Sequence, residues 1–390
     1  MEPTPIHGLC AASLLAATLL ALAAAPLARA ETAPQTIGRE PVVEIAVGEH
    51  HSCARVESGR VWCWGHNQYG QLGEGTTTER HMPVRVQNLT NATRIATGAY
   101  HSCALRSSGE AYCWGWNQNG QLGDATTTDR TRPVLVQGLT GVIDISGGGR
   151  HTCALRSTGR VFCWGENTYG QLGDGTTTNR LTPVRVTGTL STRATQIGAG
   201  RAHSCLLRQT GRVACWGRNL FGELGDGTDI SRLTPVRVRA LTNVDQLAAG
   251  YHHNCALRSS RRVFCWGWNA FGQLGDGTTT HRQTPVRVRN LTAVTGVAAG
   301  NGHSCARRGT GRIFCWGLNF YGQLGDETHI QRTTPVRVYG LDNATQVTAG
   351  HAHNCASRDD GVAFCWGYNG LGQLGDGTTV DQSSPIRVRD

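Results

Sequence analysis

A chain of 390 residues ordinarily divides into two or three domains, yet 52 glycines, 10 tryptophans and 39% apolar residues, little of them in long runs, suit one core assembled from many short segments. The net charge of +10 is carried entirely by arginine, with no lysine. It permits nucleic acid, acidic polysaccharide or anionic lipid as partner, but the arginines recur in every repeat without forming a basic run, which favours a generally positive soluble surface.

Residues Leu9 to Ala25 form an apolar stretch broken only by Ser13 and Thr18, followed by Pro26 and the small-x-small pattern Ala28-Arg29-Ala30. This predicts an export signal over residues 1–30 and a short linker over 31–40. The stretch is short for a membrane span of about 20 residues. Met1 to Gly8 lacks the usual Lys or Arg, which leaves an uncleaved anchor open, and Cys10 stands at the start of the apolar run instead of following it, unlike a lipid-attachment cysteine.

From residue 41 the sequence repeats. A His-x-Cys triplet begins at His51, His101, His151, His203, His253, His303 and His353, and Cys-Trp-Gly begins ten residues after each triplet cysteine. The step is 50 residues, with one step of 52. Gly-Gln-Leu-Gly follows each time, with Glu223 replacing Gln once, and Pro-Val-x-Val or Pro-Ile-x-Val closes each unit. Seven units fill 41–390, and this period with glycine and tryptophan predicts an all-β, seven-bladed propeller of four-stranded blades. In the third unit the strands are expected at 142–146, 151–156, 160–165 and 183–186, with a tight turn at Gly159. The one long connection lies between Cys-Trp-Gly and the proline strand. Because short connections join neighbours within a sheet, the blade boundary is expected in that long loop. The last strand, 385–388, would then pair near Val43 and close the ring.

Setting Cys10 aside, fourteen cysteines form seven pairs ten residues apart: Cys53 with Cys63, Cys103 with Cys113, Cys153 with Cys163, Cys205 with Cys215, Cys255 with Cys265, Cys305 with Cys315, and Cys355 with Cys365. Folding about the turn sets the partners directly opposite one another, where antiparallel Cα atoms are about 4.5 Å apart, at the short end for a disulfide. An even count in an exported chain agrees. A reduced core and metal binding are the other readings. Metal lacks a fourth recurring ligand and the knuckle spacing, so no metal or cofactor is expected.

The unit Ala-Gly-x-x-His-Ser-Cys-Ala-Leu, Gly-Arg-Val-Phe-Cys-Trp-Gly-x-Asn-x-x-Gly-Gln-Leu-Gly-Asp-Gly-Thr and Pro-Val-x-Val resembles the repeat of the regulator of chromosome condensation family across residues 41–390. The resemblance implies a seven-bladed propeller. In the nuclear founder it also implies guanine-nucleotide exchange on a small GTPase, through an inserted wedge and a tail outside the ring. Here the units are equal in length within two residues, and the paired cysteines fit an exported bacterial branch. A secreted bacterial relative inhibits β-lactamases by binding them on one face.

Positions identical in all seven units serve the blade: the repeated histidine is expected to bond a neighbouring blade's backbone, and Asp174 and Asp376 to cap turns. Positions that differ are free to serve a partner. One set follows Cys-Trp-Gly (His66, Trp116, Glu166, Arg218, Trp268, Leu318, Tyr368). A second precedes the glycine of Gly-Gln-Leu-Gly (Tyr69, Asn119, Tyr169, Phe221, Phe271, Tyr321, Leu371). A third precedes the repeated histidine (Glu49, His50, Tyr100, Arg150, Arg201, Tyr251, His252, Asn301, His351). Tyr69, Trp116, Tyr169, Arg218, Phe221, Trp268, Phe271, Tyr321 and Tyr368 are the candidate binding rim, since aromatic residues and arginine are typical anchors. Local loop packing is the competing account of all three sets. No nucleophile elbow, phosphate loop or zinc-protease motif is present, so no catalytic residue is assigned. The reading is an exported monomeric scaffold, secreted, periplasmic or at the cell surface. It binds a protein or a cell-surface polymer, with no nucleic acid and no membrane insertion after cleavage. GTPase regulation and a polysaccharide-acting lyase or hydrolase are the alternatives.

Overall fold

The computed structural model describes residue 37 and residues 40–389; the expected signal and most of the linker lie outside the described residues. Seven four-stranded antiparallel sheets follow one another along the chain, and the described residues contain no helix. In the first blade the strands are β1 (Val42–Val47), β2 (His51–Val56), β3 (Val61–Gly65) and β4 (Arg80–Arg85), hydrogen-bonded in chain order. The six other blades repeat this plan. β1 and its equivalents line the axial channel, so each blade runs from axis to edge as it runs along the sequence.

The blade boundary is not where the connection lengths place it. β4 pairs back onto β3 across the long loop, with Cys63 opposite Val84, and the short link after β4 crosses to the next blade. The last strand, Gln382–Arg387, likewise pairs inside its own blade, with Ile386 opposite Cys365, and not with the first unit. The long loop is long because it plugs the groove between blades. Leu72 is fully buried there, and the Gln71 carbonyl accepts hydrogen bonds from Ser102 Oγ and Trp114 Nε1 of the next blade, both at 2.9 Å. The seventh blade meets the first by the same bonds: the Gln373 carbonyl accepts from Ser52 Oγ and Trp64 Nε1 at 2.9 Å.

The apolar core therefore lies between blades. One cluster joins Val61, Leu72 and Val86 of the first blade to Ile95, Ala104 and Trp114 of the second. All seven Cys-Trp-Gly tryptophans are fully buried. The glycine of that triplet is required: Gly65 has φ +101°, and a Cβ there would collide with the His50 carbonyl.

All seven expected disulfides are present, with Cα–Cα separations of 4.0–4.1 Å, and each pair is in direct register, as Cys53 is with Cys63. Beside them runs a closed circuit of histidines. His51 Nε2 lies 2.8 Å from Ser102 Oγ, His101 meets Thr152, His151 meets Ser204, His203 meets Asn254, His253 meets Ser304, His303 meets Asn354, and His353 returns to Ser52 at 2.9 Å. The partner is a side chain of the next blade, not its backbone as the repeat alone suggested; the backbone bond is made one step later, by that hydroxyl or amide.

Arg261 stands where the six other second turns have glycine, in the left-handed region at φ 59°. A side chain in that region costs about 1 kcal/mol or more. Arg261→Gly is expected to stabilise the fold by about 1 kcal/mol, less glycine's extra unfolded-state entropy, read as a higher Tm; an unchanged or lower Tm would contradict the strain.

Candidate functional site

The two faces of the ring are built from different connections. On one, the β1–β2 turn and the start of the long loop join, with the His66 N–H donating to the His50 carbonyl at 3.0 Å. On the other, the β2–β3 turn meets the entry to the next blade, with the Ala92 N–H donating to the Gly59 carbonyl at 3.0 Å. All three variable sets fall on the first face, around the mouth of the axial channel.

There the nine rim candidates form three groups. Tyr69 and Trp116 lie 5.9 Å apart, with Arg150 stacked 5.2 Å from the Trp116 ring. Arg218 lies over both Tyr169 (5.9 Å) and Phe221 (5.2 Å), Phe221 is 6.1 Å from Trp268, and Trp268 is 5.1 Å from Phe271. Tyr321 and Tyr368 are 4.8 Å apart. Residues of the third set stitch the groups together. Tyr100 joins Trp116 at 6.0 Å; His50 reaches Tyr100, Tyr368 and His351; Tyr251 bridges His351 and His252; and His252 meets Trp268 at 5.9 Å. A belt of unlike aromatic, histidine and arginine side chains results.

Exposure along the belt is uneven. Trp116 is buried at 9%, whereas Tyr169 is 40% exposed. The sequence reading missed an outer row: Leu220, Ile230, Phe320, Ile330 and Val380 project into solvent, Phe320 at 71%. They occupy loop positions that are Gln, Thr, Ala or Gly in other units, so the unit-to-unit comparison that found the rim could also have found them. Asp174 behaves as the expected turn cap, accepting the Thr176 N–H and pairing with Arg180.

The belt has one buried charge. Glu223 replaces the recurrent glutamine and is wholly buried. One carboxylate oxygen accepts the Phe221 N–H at 2.8 Å; the other lies 3.7 Å from His252 Nδ1, itself 3.1 Å from an Arg218 N–H donor. Burial pushes the Glu223 carboxyl up, but His252, His203 and the Phe221 N–H together hold it below the usual range. At the mouth, burial lowers His50 to about 4 and also lowers His351, so both imidazoles are neutral at ordinary pH. Burial, followed by the Glu49 charge, raises the Tyr251 phenol well above its ordinary value.

The channel has a volume of about 290 Å³ and is walled by alanine, glycine and valine of the seven inner strands, with Glu44, Glu49, Tyr251 and Gln346 among its polar lining. Among the described residues, no group of three or more His, Cys, Asp or Glu side chains is set to hold a metal ion.

The sequence profile of the RCC1-like domain matches residues 141–390, and that of the regulator of chromosome condensation (RCC1) repeat matches residues 58–105 and 108–155. Among solved structures, Prp20p of Saccharomyces cerevisiae, described with its binding properties to Gsp1p and histones, superposes with a TM-score of 0.74 at 22% identity, over 90% of this chain and 88% of that one. Human WBSCR16 superposes with a TM-score of 0.76 at 23% identity, over 85% of this chain and 94% of that one. Both show the shared fold alone. A 61-residue segment, 15% of this chain, is 44% identical to the E3 ubiquitin-protein ligase highwire of Drosophila melanogaster, and corresponds to 1% of that protein's length.

Proposed function

The chain belongs to the RCC1-like family, and from that premise we propose that it is an exported scaffold that binds a protein partner on the face carrying the aromatic belt. The observation that carries this reading is where the seven units differ. Three sets of variable positions meet on one face and are filled there largely by tryptophan, tyrosine, phenylalanine, histidine and arginine, the residues that anchor protein interfaces. The outer row from Leu220 to Val380 adds exposed apolar surface on the same face. Seven disulfides suit an oxidising compartment, which supports a partner outside the cytosol.

Two other readings are weaker. Nucleotide exchange on a small GTPase rests on family likeness, and units of nearly equal length supply no inserted wedge. Polysaccharide cleavage would need a pair of carboxyls in unlike environments, and Glu223 is wholly buried beneath the belt.

Trp268→Ala and Tyr368→Ala are each expected to weaken partner binding by about 2 kcal/mol, roughly thirtyfold. Arg212→Ser and Arg262→Ser, on the opposite face, are expected to leave it unchanged. The measurement is affinity for a partner recovered by crosslinking from the extracytosolic fraction. Equal losses on both faces would sink the assignment, and nucleotide release from a small GTPase, stimulated by the reduced or oxidised chain, would replace it with the exchange reading.

A further inference from the structure

At the centre of the belt, four polar side chains from three blades turn toward one point without satisfying one another. Glu49 Oε1 lies 3.9 Å from His50 Nε2 and 3.9 Å from His351 Nε2. The two imidazole rings are 5.4 Å apart, and the Tyr251 ring is 5.6 Å from His351. The Tyr251 hydroxyl faces Glu49, yet it is sealed from solvent and falls short of a hydrogen bond to any partner. His50 Nδ1 is buried without a partner as well. A buried polar atom left unpaired costs about 1–3 kcal/mol.

We propose that this mouth is a binding site for a primary ammonium group on a slender aliphatic stem, of which a lysine side chain is the natural source. Three acceptors, a carboxylate oxygen and two imidazole nitrogens, match the three N–H donors of an alkylammonium. The spacing admits that occupant: an ammonium nitrogen about 2.9 Å from each acceptor sees oxygen and nitrogen atoms 3.9 Å apart at an angle of about 85°, within reach of bent hydrogen bonds. Burial keeps both imidazoles neutral, hence able to accept.

The walls suit the same charge. Tyr100 and Tyr368 stand beside His50, their rings 6.2 and 6.1 Å from its ring, and aromatic walls are compatible with a cation nearby. The chain contains no lysine, so no side chain of its own competes. Arg201, whose charge is felt at Tyr100, Tyr251 and His351, opposes a cation, but it is exposed and screened by solvent. That opposition gives the proposal a sign. Removing Arg201 strengthens ammonium binding, whereas it would weaken the binding of an anion.

The test is titration of the oxidised full-length chain with Nα-acetyl-lysine N-methylamide, followed by calorimetry and by the Tyr and Trp signals. Saturable one-to-one binding is expected, abolished when the Nε is acetylated. Glu49→Gln, checked for an unchanged melting curve, should weaken it roughly tenfold. Arg201→Ala should tighten it a few-fold. n-Butylamine distinguishes the source: binding as tight as the lysine derivative assigns the site to free amines, and weaker binding assigns it to lysine. Full affinity in Glu49→Gln, or weaker binding in Arg201→Ala, would overturn the proposal. Trp268→Ala leaves this titration unchanged, so the site and the partner-binding reading can fail separately.

Discussion

Acidification from pH 7 to pH 4 is expected to unfold the ring, with a transition far steeper than a typical domain shows. The cause is the histidine circuit. Burial lowers His51, His151 and His253 to about 3 and His101 and His303 to about 4, and it also lowers His203 and His353. In the unfolded chain each would titrate near 6.5. Between those values the unfolded state binds the more protons, so stability is fully present above pH 6.5 and is lost as pH falls toward the folded values. Each histidine removes about 1.4 kcal/mol per pH unit once its unfolded form is protonated. Seven acting together approach 10 kcal/mol per unit, against a total stability of about 5–15 kcal/mol for a typical domain. The seven buried tryptophans report the transition directly by fluorescence and near-ultraviolet dichroism. His253→Gln should remove one proton from the slope. A ring still folded at pH 4, or a transition taking up fewer than two protons, would refute this account.

Reduction is expected to be equally damaging. Each disulfide closes an eleven-residue hairpin, worth about 3 kcal/mol in the chain-entropy model and less where the hairpin is already ordered. Seven sum to at most about 20 kcal/mol, more than such a fold holds in reserve. All fourteen sulfurs are essentially inaccessible, at 1% exposure or less, so reduction proceeds only as blades open. Alkylation of the native protein without reductant should add no mass to these cysteines. Full reduction, verified by mass, should lower Tm by tens of degrees. A verified reduced chain melting at the same temperature would show that the bridges only decorate hairpins held by the inter-blade core.

What the sequence makes legible follows from how local the determinant is. The Cys53–Cys63 pairing can be read because period-two geometry and a single turn fix it. The belt can be read because comparing units within one chain separates blade-building positions from free ones. The blade boundary cannot be read from connection lengths, because the long loop is filled by Leu72 and the Gln71 carbonyl acting on a different blade. The bond from His51 to Ser102 is hidden for the same reason, as Ser52 and its equivalents resemble ordinary small strand residues. Trp116 and Phe320 show the limit for exposure: both occupy variable loop positions, yet one is packed beneath Arg150 and the other stands free. The meeting of Glu49 and His50 with His351 depends on the curvature that brings blade seven beside blade one, which no local pattern encodes.

Because each blade is completed by four strands in sequence, the junction between the seventh and first blades carries the same tryptophan, hydroxyl and histidine bonds as the six others, but no peptide link and no shared strand. It is the one seam in the ring. Mechanical or thermal fracture should begin there, with the wheel opening into a crescent before any blade melts. The six other junctions become interchangeable with it: rejoining the ends and cutting any other link would move the seam without altering a single blade.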